Sequence, residues 1–284
     1  MGGHAAGEVA SEMAVEMVSH DLSDLNDLEA SDSHDRVAHA LRDANRAVYE
    51  RTRTERDKLG MGSTVSALLL SETRYVVGHV GDSRIYLVRD GQMRQLTKDH
   101  SLVQEQVDAG LLTPEQARRH PQSNVITRCI GMADEIEPDV FDGSVRVGDA
   151  FLLASDGLTG MVEDRRIQQL LVSRAKPERI VDALIQEANV NGGNDNITAV
   201  VVRVLSAESA DGGGNGNSRE VELRDSRAWV TIATLSRESR SSTSATSSTH
   251  SSSPRSVWTS RTRQSMPRSI GELRRSLLRR AAER

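Results

Sequence analysis

The 284 residues are 37% hydrophobic but only 2% aromatic, enough for one large domain or two small ones around a core of aliphatic side chains. Formal charge is −5, divided into −11 over residues 1–205 and +6 beyond, so the body disfavours nucleic-acid phosphates as partners and suits cations. The lone cysteine, Cys129, excludes a disulfide framework and a thiolate zinc site and fits a reducing cytosol.

Residues 1–20 lack the basic start of a signal peptide, and Glu8, Glu12 and Glu16 interrupt their apolar positions. A myristoylation signal would need Ser or Thr where Ala6 stands. Instead Ala6, Val9, Ala10, Met13, Ala14 and Met17 recur at three- and four-residue spacing, which predicts a helix over His4–His20. A second helix is expected from about His34 to Arg56, with Val37, Ala40, Leu41, Ala44 and Val48 along one side. The period then changes. Thr64–Leu70, Arg74–Val80 and Ser83–Val88 read as consecutive strands, and Asp90-Gly91 as a hairpin turn into a return strand over Met93–Leu96. The run Ala67–Leu70 is the longest apolar stretch, far short of the roughly 20 residues of a membrane helix, so no transmembrane segment and a cytoplasmic location are expected.

From His100 to Arg119 the pattern is helical again, with a Thr113-Pro114 start inside it. A strand over Ala150–Ala154, helices over Asp164–Val172 and Pro177–Ala188, and a β-branched strand over Ile197–Val204 complete the body. Helices cluster with helices and strands with strands, which argues against a parallel βαβ sheet. Beyond Leu205, Gly212–Asn217 reads as a flexible linker and Ser236–Thr262 as a Ser/Thr/Arg tract without apolar period, so 206–268 is expected to be disordered. Ser269-Ile-Gly-Glu272 reads as a capping box opening a basic amphipathic helix over 269–284. Such a helix is either a fraying solvated one or a contact for an acidic partner or an anionic membrane surface.

Three aspartates stand in Gly-flanked turns beside predicted buried strands: Asp82 in Val80-Gly-Asp-Ser-Arg84, Asp156 in Leu153-Ala-Ser-Asp-Gly157, and Asp195 in Gly192-Gly-Asn-Asp-Asn196. Any one of them is ordinary turn chemistry. Together, at strand ends, they could aim carboxylates at one point and hold a hard cation such as Mg²⁺ or Mn²⁺. Cys129 reads as a small core residue, and His34, His39 and His120 as surface helix residues. His4 differs, because its Gly-rich surroundings suit backbone packed closely against something.

In order along the chain stand Gly60-Met-Gly-Ser-Thr-Val65, His79-Val-Gly-Asp-Ser-Arg-Ile-Tyr86, Leu96-Thr-Lys-Asp-His100, Ile126-Thr-Arg128, Leu152-Leu-Ala-Ser-Asp-Gly-Leu158 and Gly193-Asn-Asp-Asn-Ile-Thr198. This series resembles the metal-dependent PPM, or type 2C, protein serine/threonine phosphatases of bacteria, from Met1 to about Leu205. The resemblance implies an α+β fold, a four-layer α-β-β-α sandwich of two antiparallel sheets flanked by helices, spanning 1–205. It also implies two core Mn²⁺ or Mg²⁺ ions and a third, weaker one. By position Asp156 and Asp195 would hold the core pair, Asp82 with Asp156 the third ion, and His4 would neighbour the reacting phosphate. About Val107 to Asn124 corresponds to the family's variable flap beside the site. Phosphoproteins, with a cognate Ser/Thr kinase, would be the partners.

In the family the stretch matching Met1–Ser11 follows directly on an Asp-Gly pair whose Asp bridges both metals, and a first strand pair lies further upstream. Neither is present in residues 1–284. The resemblance therefore implies impaired hydrolysis in a chain of these residues alone, because two facing carboxylates compensate poorly for the repulsion of two dications. The alternative is a non-catalytic regulator that binds phosphoproteins.

Overall fold

The computed structural model describes residues 4–205 and 229–236, with the backbone alone at 4–5 and 229–236. The chain begins with α1 (His4–Asp21) and α2 (Ser33–Thr54), followed by β1 (Ser63–Leu70), β2 (Arg74–Val80), β3 (Arg84–Arg89) and β4 (Gln92–Gln95). Next come α3 (Leu102–Asp108), α4 (Pro114–Arg118), β5 (Asp139–Ser144), β6 (Ala150–Ala154) and the short α5 (Asp156–Thr159). Helices α6 (Asp164–Val172) and α7 (Pro177–Val190) and strands β7 (Ala199–Arg203) and β8 (Trp229–Ser236) complete it.

Two four-stranded antiparallel sheets result, one in the order β5-β2-β1-β8 (sheet A), the other β4-β3-β6-β7 (sheet B). Their side chains show why the layers stack as they do. On β1, Val65, Ala67 and Leu69 turn outward to Ala10, Ala14 and Val18 of α1 and Val37, Leu41, Ala44 and Val48 of α2. Leu68 and Leu70 turn inward, where they meet Val77 of β2, Ile85 and Leu87 of β3, and Phe151 and Leu153 of β6. Sheet B repeats the pattern, with Tyr86, Leu152 and Ala154 outward against Ile167 and Leu171 of α6 and Ile180, Leu184 and Ala188 of α7. Period-two alternation with both faces covered makes a helix–sheet–sheet–helix sandwich, and explains why all eight residues of β1 are buried. Each fully buried aliphatic side chain contributes about 1.5–3 kcal/mol. Tyr75 and Phe151 close the inner layer edge to face, 5.4 Å between ring centres. The described residues all fall in one compact unit, residues 1–245.

Local signals act as the sequence predicts in most places. Asp90 (φ 52°) and Gly91 (φ 77°) are both left-handed, the pair a tight hairpin turn requires between β3 and β4. Thr113 accepts from Gln116 N at 3.2 Å, and Gln116 Oε1 accepts from Thr113 N at 2.8 Å, a reciprocal cap that starts α4. The expected His100–Arg119 helix breaks in two at Gly110, whose φ of 71° ends α3. Two strands are additions. β5 is hidden by the turn-forming Asp139, Asp142 and Gly143 in its own sequence, and β8 lies inside 206–268, the stretch expected to be disordered. The remainder of 206–268 and the helix expected over 269–284 lie outside the described residues.

Candidate active site

Register places the three aspartates at one end of the sandwich. Arg84 of β3 faces Ala154 of β6, and Ala154 faces Ala199 of β7. Asp82 precedes β3, Asp156 follows β6 and Asp195 precedes β7, so all three stand at the same end of sheet B. Val65 facing Val80 brings the start of β1 and the end of β2 to that end as well.

Asp156, the first residue of α5, and Asp195, in the loop before β7, stand on segments in direct contact. Ser155 Oγ donates to Asn196 O at 3.1 Å and accepts from Thr198 N at 2.9 Å, while Ser155 N donates to Thr198 O at 3.1 Å. A Cβ on Gly157 would lie 2.3 Å from Asn196 O, so only glycine lets the two turns meet. The amide after each aspartate orients its carboxylate: Gly157 N donates to Asp156 Oδ1 at 2.8 Å and Asn196 N to Asp195 Oδ1 at 2.7 Å. Both carboxyls are half-buried.

Asp82 is more deeply set, 8% exposed, in a turn held from several sides. Gly81 takes φ 120°, and a Cβ there would lie 2.3 Å from Thr64 Cγ2. Its N–H donates to His100 Nδ1 at 3.0 Å, and its carbonyl accepts from His100 N at 2.8 Å and His79 Nε2 at 2.9 Å. On the other side Ser83 Oγ and Thr64 Oγ1 share a hydrogen bond of 2.7 Å. His79 lies between the sheets, its Nδ1 2.9 Å from Ser66 Oγ and its ring 5.0 Å from that of His100. Burial, and then the neighbouring His100, push its pKa down to about 4, so it is neutral at pH 7.

These contacts carry roles the sequence reading gave no residue. His100 Nδ1 serves as acceptor for Gly81, and its Nε2 stands 3.2 Å from Asp139 Oδ2, at ion-pair distance but out of line for a hydrogen bond. Burial lowers the pKa of His100 despite Asp139. Asp139 also takes Arg128 Nη1 at 3.1 Å, and Thr127 N donates to His100 O at 2.9 Å. The segments 79–86, 96–100 and 126–128 are therefore one laced cluster beneath Asp82. Arg84 grips Asp99 through Nε and Nη2, at 3.0 and 2.7 Å, and Asp99 keeps the arginine charged against its burial. The signal was present in the ordered motifs, but nothing in one sequence says which histidine faces which glycine.

Other candidates are placed plainly. His4 is the first residue of α1, with only its backbone described. Cys129 is buried, as a core residue should be. His39 is exposed, whereas His34 lies half-buried 3.0 Å from Asp142. Among the described residues no three His, Cys, Asp or Glu side chains gather closely enough to form a metal-holding group by themselves. Nor is any described helix long and apolar enough to cross a membrane.

A family model described as protein phosphatase 2C matches residues 1–201. The chain belongs to this family. It is 41% identical to a putative protein phosphatase 2C-type of Streptococcus pyogenes over 202 residues, covering 71% of this chain and 82% of that protein. Protein phosphatase PhpP of Streptococcus pneumoniae is 41% identical over 211 residues, covering 74% and 85%. Among solved structures, the Mycobacterium tuberculosis serine/threonine phosphatase PstP/Ppp superposes with a TM-score of 0.67 at 40% identity, covering 72% of this chain and 86% of that one. A PstP catalytic domain in complex with two manganese ions gives 0.63 at 38% identity, covering 71% and 82%. The protein is thus a protein serine/threonine phosphatase of the 2C family, and its two-sheet α+β fold is the family's.

Proposed function

We propose that the end of the sandwich bearing Asp82, Asp156 and Asp195 removes phosphate from phosphoserine and phosphothreonine in proteins, with Mn²⁺ or Mg²⁺ as cofactor. The observation that carries this reading is the contact of the segments bearing Asp156 and Asp195, each with its carboxylate oriented by the amide that follows it. Half-buried oxygen donors of this kind fit hard dications and not soft metals. Asp156 and Asp195 would hold the core pair, and Asp82 with Asp156 a third ion. Such ions, when bound, acidify water and screen phosphate charge. The chain's own part is to orient the carboxylates through Gly157 N and Asn196 N, to fix the Asp82 turn through His79 and His100, and to exclude water on the core side. His4, at the start of α1, is the proposed neighbour of the reacting phosphate, available for proton transfer. Phosphoproteins, among them a cognate Ser/Thr kinase, are the proposed partners.

A protein consisting of residues 1–284 alone would hold these ions weakly. Two carboxylates offset little of the repulsion between two dications, and among the described residues no group of three His, Cys, Asp or Glu side chains could hold a metal. That observation also favours a second reading, a phosphoprotein-binding regulator without turnover. Release of inorganic phosphate from a phosphothreonine peptide, measured with and without Mn²⁺, separates the two. Metal-stimulated release that EDTA abolishes, reduced by about 100-fold or more in Asp156→Asn and Asp195→Asn, is expected of the enzyme. Peptide binding with no release at any Mn²⁺ concentration would establish the regulator instead.

A further inference from the structure

The loop leading into β5 encloses a cavity of about 220 Å³, lined by the apolar side chains of Cys129, Met132, Ala133 and Ile136 and by the carboxylate of Glu135. Small-molecule sites run to roughly 300–1,000 Å³, so this one has room for a single long side chain. All its walls come from residues 127–137, at the β5 edge of sheet A, the edge opposite β8. The loop is fixed before anything binds. Asn45 of α2, 1% exposed, accepts from Gly131 N at 2.8 Å and donates to the carbonyls of Ala133 and Asp134, each at 3.0 Å. Gly131 takes φ 86°, and a Cβ there would lie 2.6 Å from Val48 Cγ1.

The charges around the cavity are unevenly matched. Arg128 donates to Glu137 O at 2.7 Å and to Asp139 Oδ1 at 3.1 Å, and Glu137 pairs with Arg42 at 2.9 Å. Glu135 is exposed and has no hydrogen-bond or ion-pair partner among the described residues. Apolar walls beside one unmatched carboxylate suit a side chain with an aliphatic stem and a cationic head, which is lysine or arginine. The acidic body draws such a partner in from a distance.

Position ties the cavity to the aspartates. Ser63 N donates to Ile130 O at 3.1 Å and Ile130 N to Ser63 O at 2.8 Å, and the next residue of β1, Thr64, shares a hydrogen bond with Ser83 beside Asp82. Thr127, at the start of the cavity loop, donates to the carbonyl of His100, the residue that holds Gly81. An extended peptide spans about 3.3 Å per residue, so a side chain a few positions from a phosphoresidue near Asp82 reaches the cavity.

We propose that this cavity is a specificity subsite that takes a lysine or arginine of the phosphoprotein, a few residues from its phosphoserine or phosphothreonine. The assignment rests on the proposed function for its substrate, and its test keeps the two apart.

Phosphothreonine peptides in an alanine background, each with one arginine at successive positions on either side of the phosphoresidue, are compared with the same peptides carrying norleucine, which keeps the stem and loses the charge. At one or two neighbouring positions kcat/KM is expected to favour arginine by about fivefold, the contribution of one exposed ion pair. Glu135→Gln should bring that ratio close to one, and Glu135→Lys should invert it. Ala133→Leu fills the cavity, alters no charge and should lower the ratio as well, whereas Glu72→Gln, beyond the far end of β1, should leave it at the parent's value. Each ratio is taken within one variant, so a general change in activity cancels. If no phosphate is released, the proposed hydrolysis falls, and the same ratios read from Kd by fluorescence anisotropy decide the subsite alone. Equal values for arginine and norleucine at every position, or no binding of any peptide, would overturn the subsite. So would an arginine preference that survives Glu135→Gln or Ala133→Leu, or one that Glu72→Gln removes equally.

Discussion

Gly157 and His79 show how single residues set the end of the sandwich that bears the aspartates. A methyl group at position 157 would stand 2.3 Å from Asn196 O, and neither turn can yield without moving a carboxylate. Gly157→Ala should therefore separate Asp156 from Asp195, with a stability cost of about 1–3 kcal/mol for overpacking. Calorimetric titration is expected to show a clear loss of Mn²⁺ affinity, although no carboxylate has been removed. His79 acts through charge. Its folded pKa of about 4 lies below the ordinary 6.5, because burial, and next His100, disfavour the imidazolium. Between those values the unfolded chain binds the proton and the fold does not, so stability rises with pH across this window and is complete above about 6.5. Urea midpoints at pH 7.5 and 5 should differ more for the parent than for His79→Gln, by an amount on the order of a few kcal/mol. Equal differences in the two proteins would show that His79 is protonated in the fold.

At the level of elements, the segment 107–124, proposed as a flap beside the site, meets α6 through an exposed ion pair. Arg118, the last residue of α4, meets Asp164 at the start of α6 at 2.7 Å, with both side chains near half-exposed. An ion pair in that setting contributes no more than about 1 kcal/mol, so Arg118→Ala should leave the melting temperature almost unchanged. Its effect is expected on substrates that reach the flap: KM rises for a phosphopeptide and holds for p-nitrophenyl phosphate. The same elements show what a sequence can disclose. The β3–β4 hairpin was legible because Asp90-Gly91 has one economical conformation, and α2, α6 and α7 because their apolar residues repeat at the helical period. β5 was not, because its pairing with β2 rests on a partner more than sixty residues away and its own residues favour turns. β8 was concealed differently: a run with strong strand character sits among Gly, Ser and Arg, and its pairing with β1 exists only in the fold. The aspartates were legible as ligand candidates from their turns, yet the contact of two of those turns through Gly157 exists only in the fold.

Across the whole molecule, folding and metal binding should be one equilibrium. The described body is strongly acidic, and Asp82, Asp156 and Asp195 stand at one end of it, on segments that the paired strands of sheet B hold in place. An unfolded chain has no such arrangement, so ions that bind the native state shift the balance toward it by RT ln(1 + [L]/Kd). At a hundred times the dissociation constant the gain is about 2.7 kcal/mol. For a domain of this size each kcal/mol moves the midpoint by roughly 2–4 °C. Mn²⁺ should thus raise the melting temperature by several degrees, and EDTA should reverse the rise. The concentration needed reports the affinity. Asp156→Asn removes a carboxylate proposed for both kinds of site, and its melting temperature should stay flat over the same Mn²⁺ range. A parallel rise in parent and variant would assign the stabilisation to ions scattered over the acidic surface and not to the proposed site.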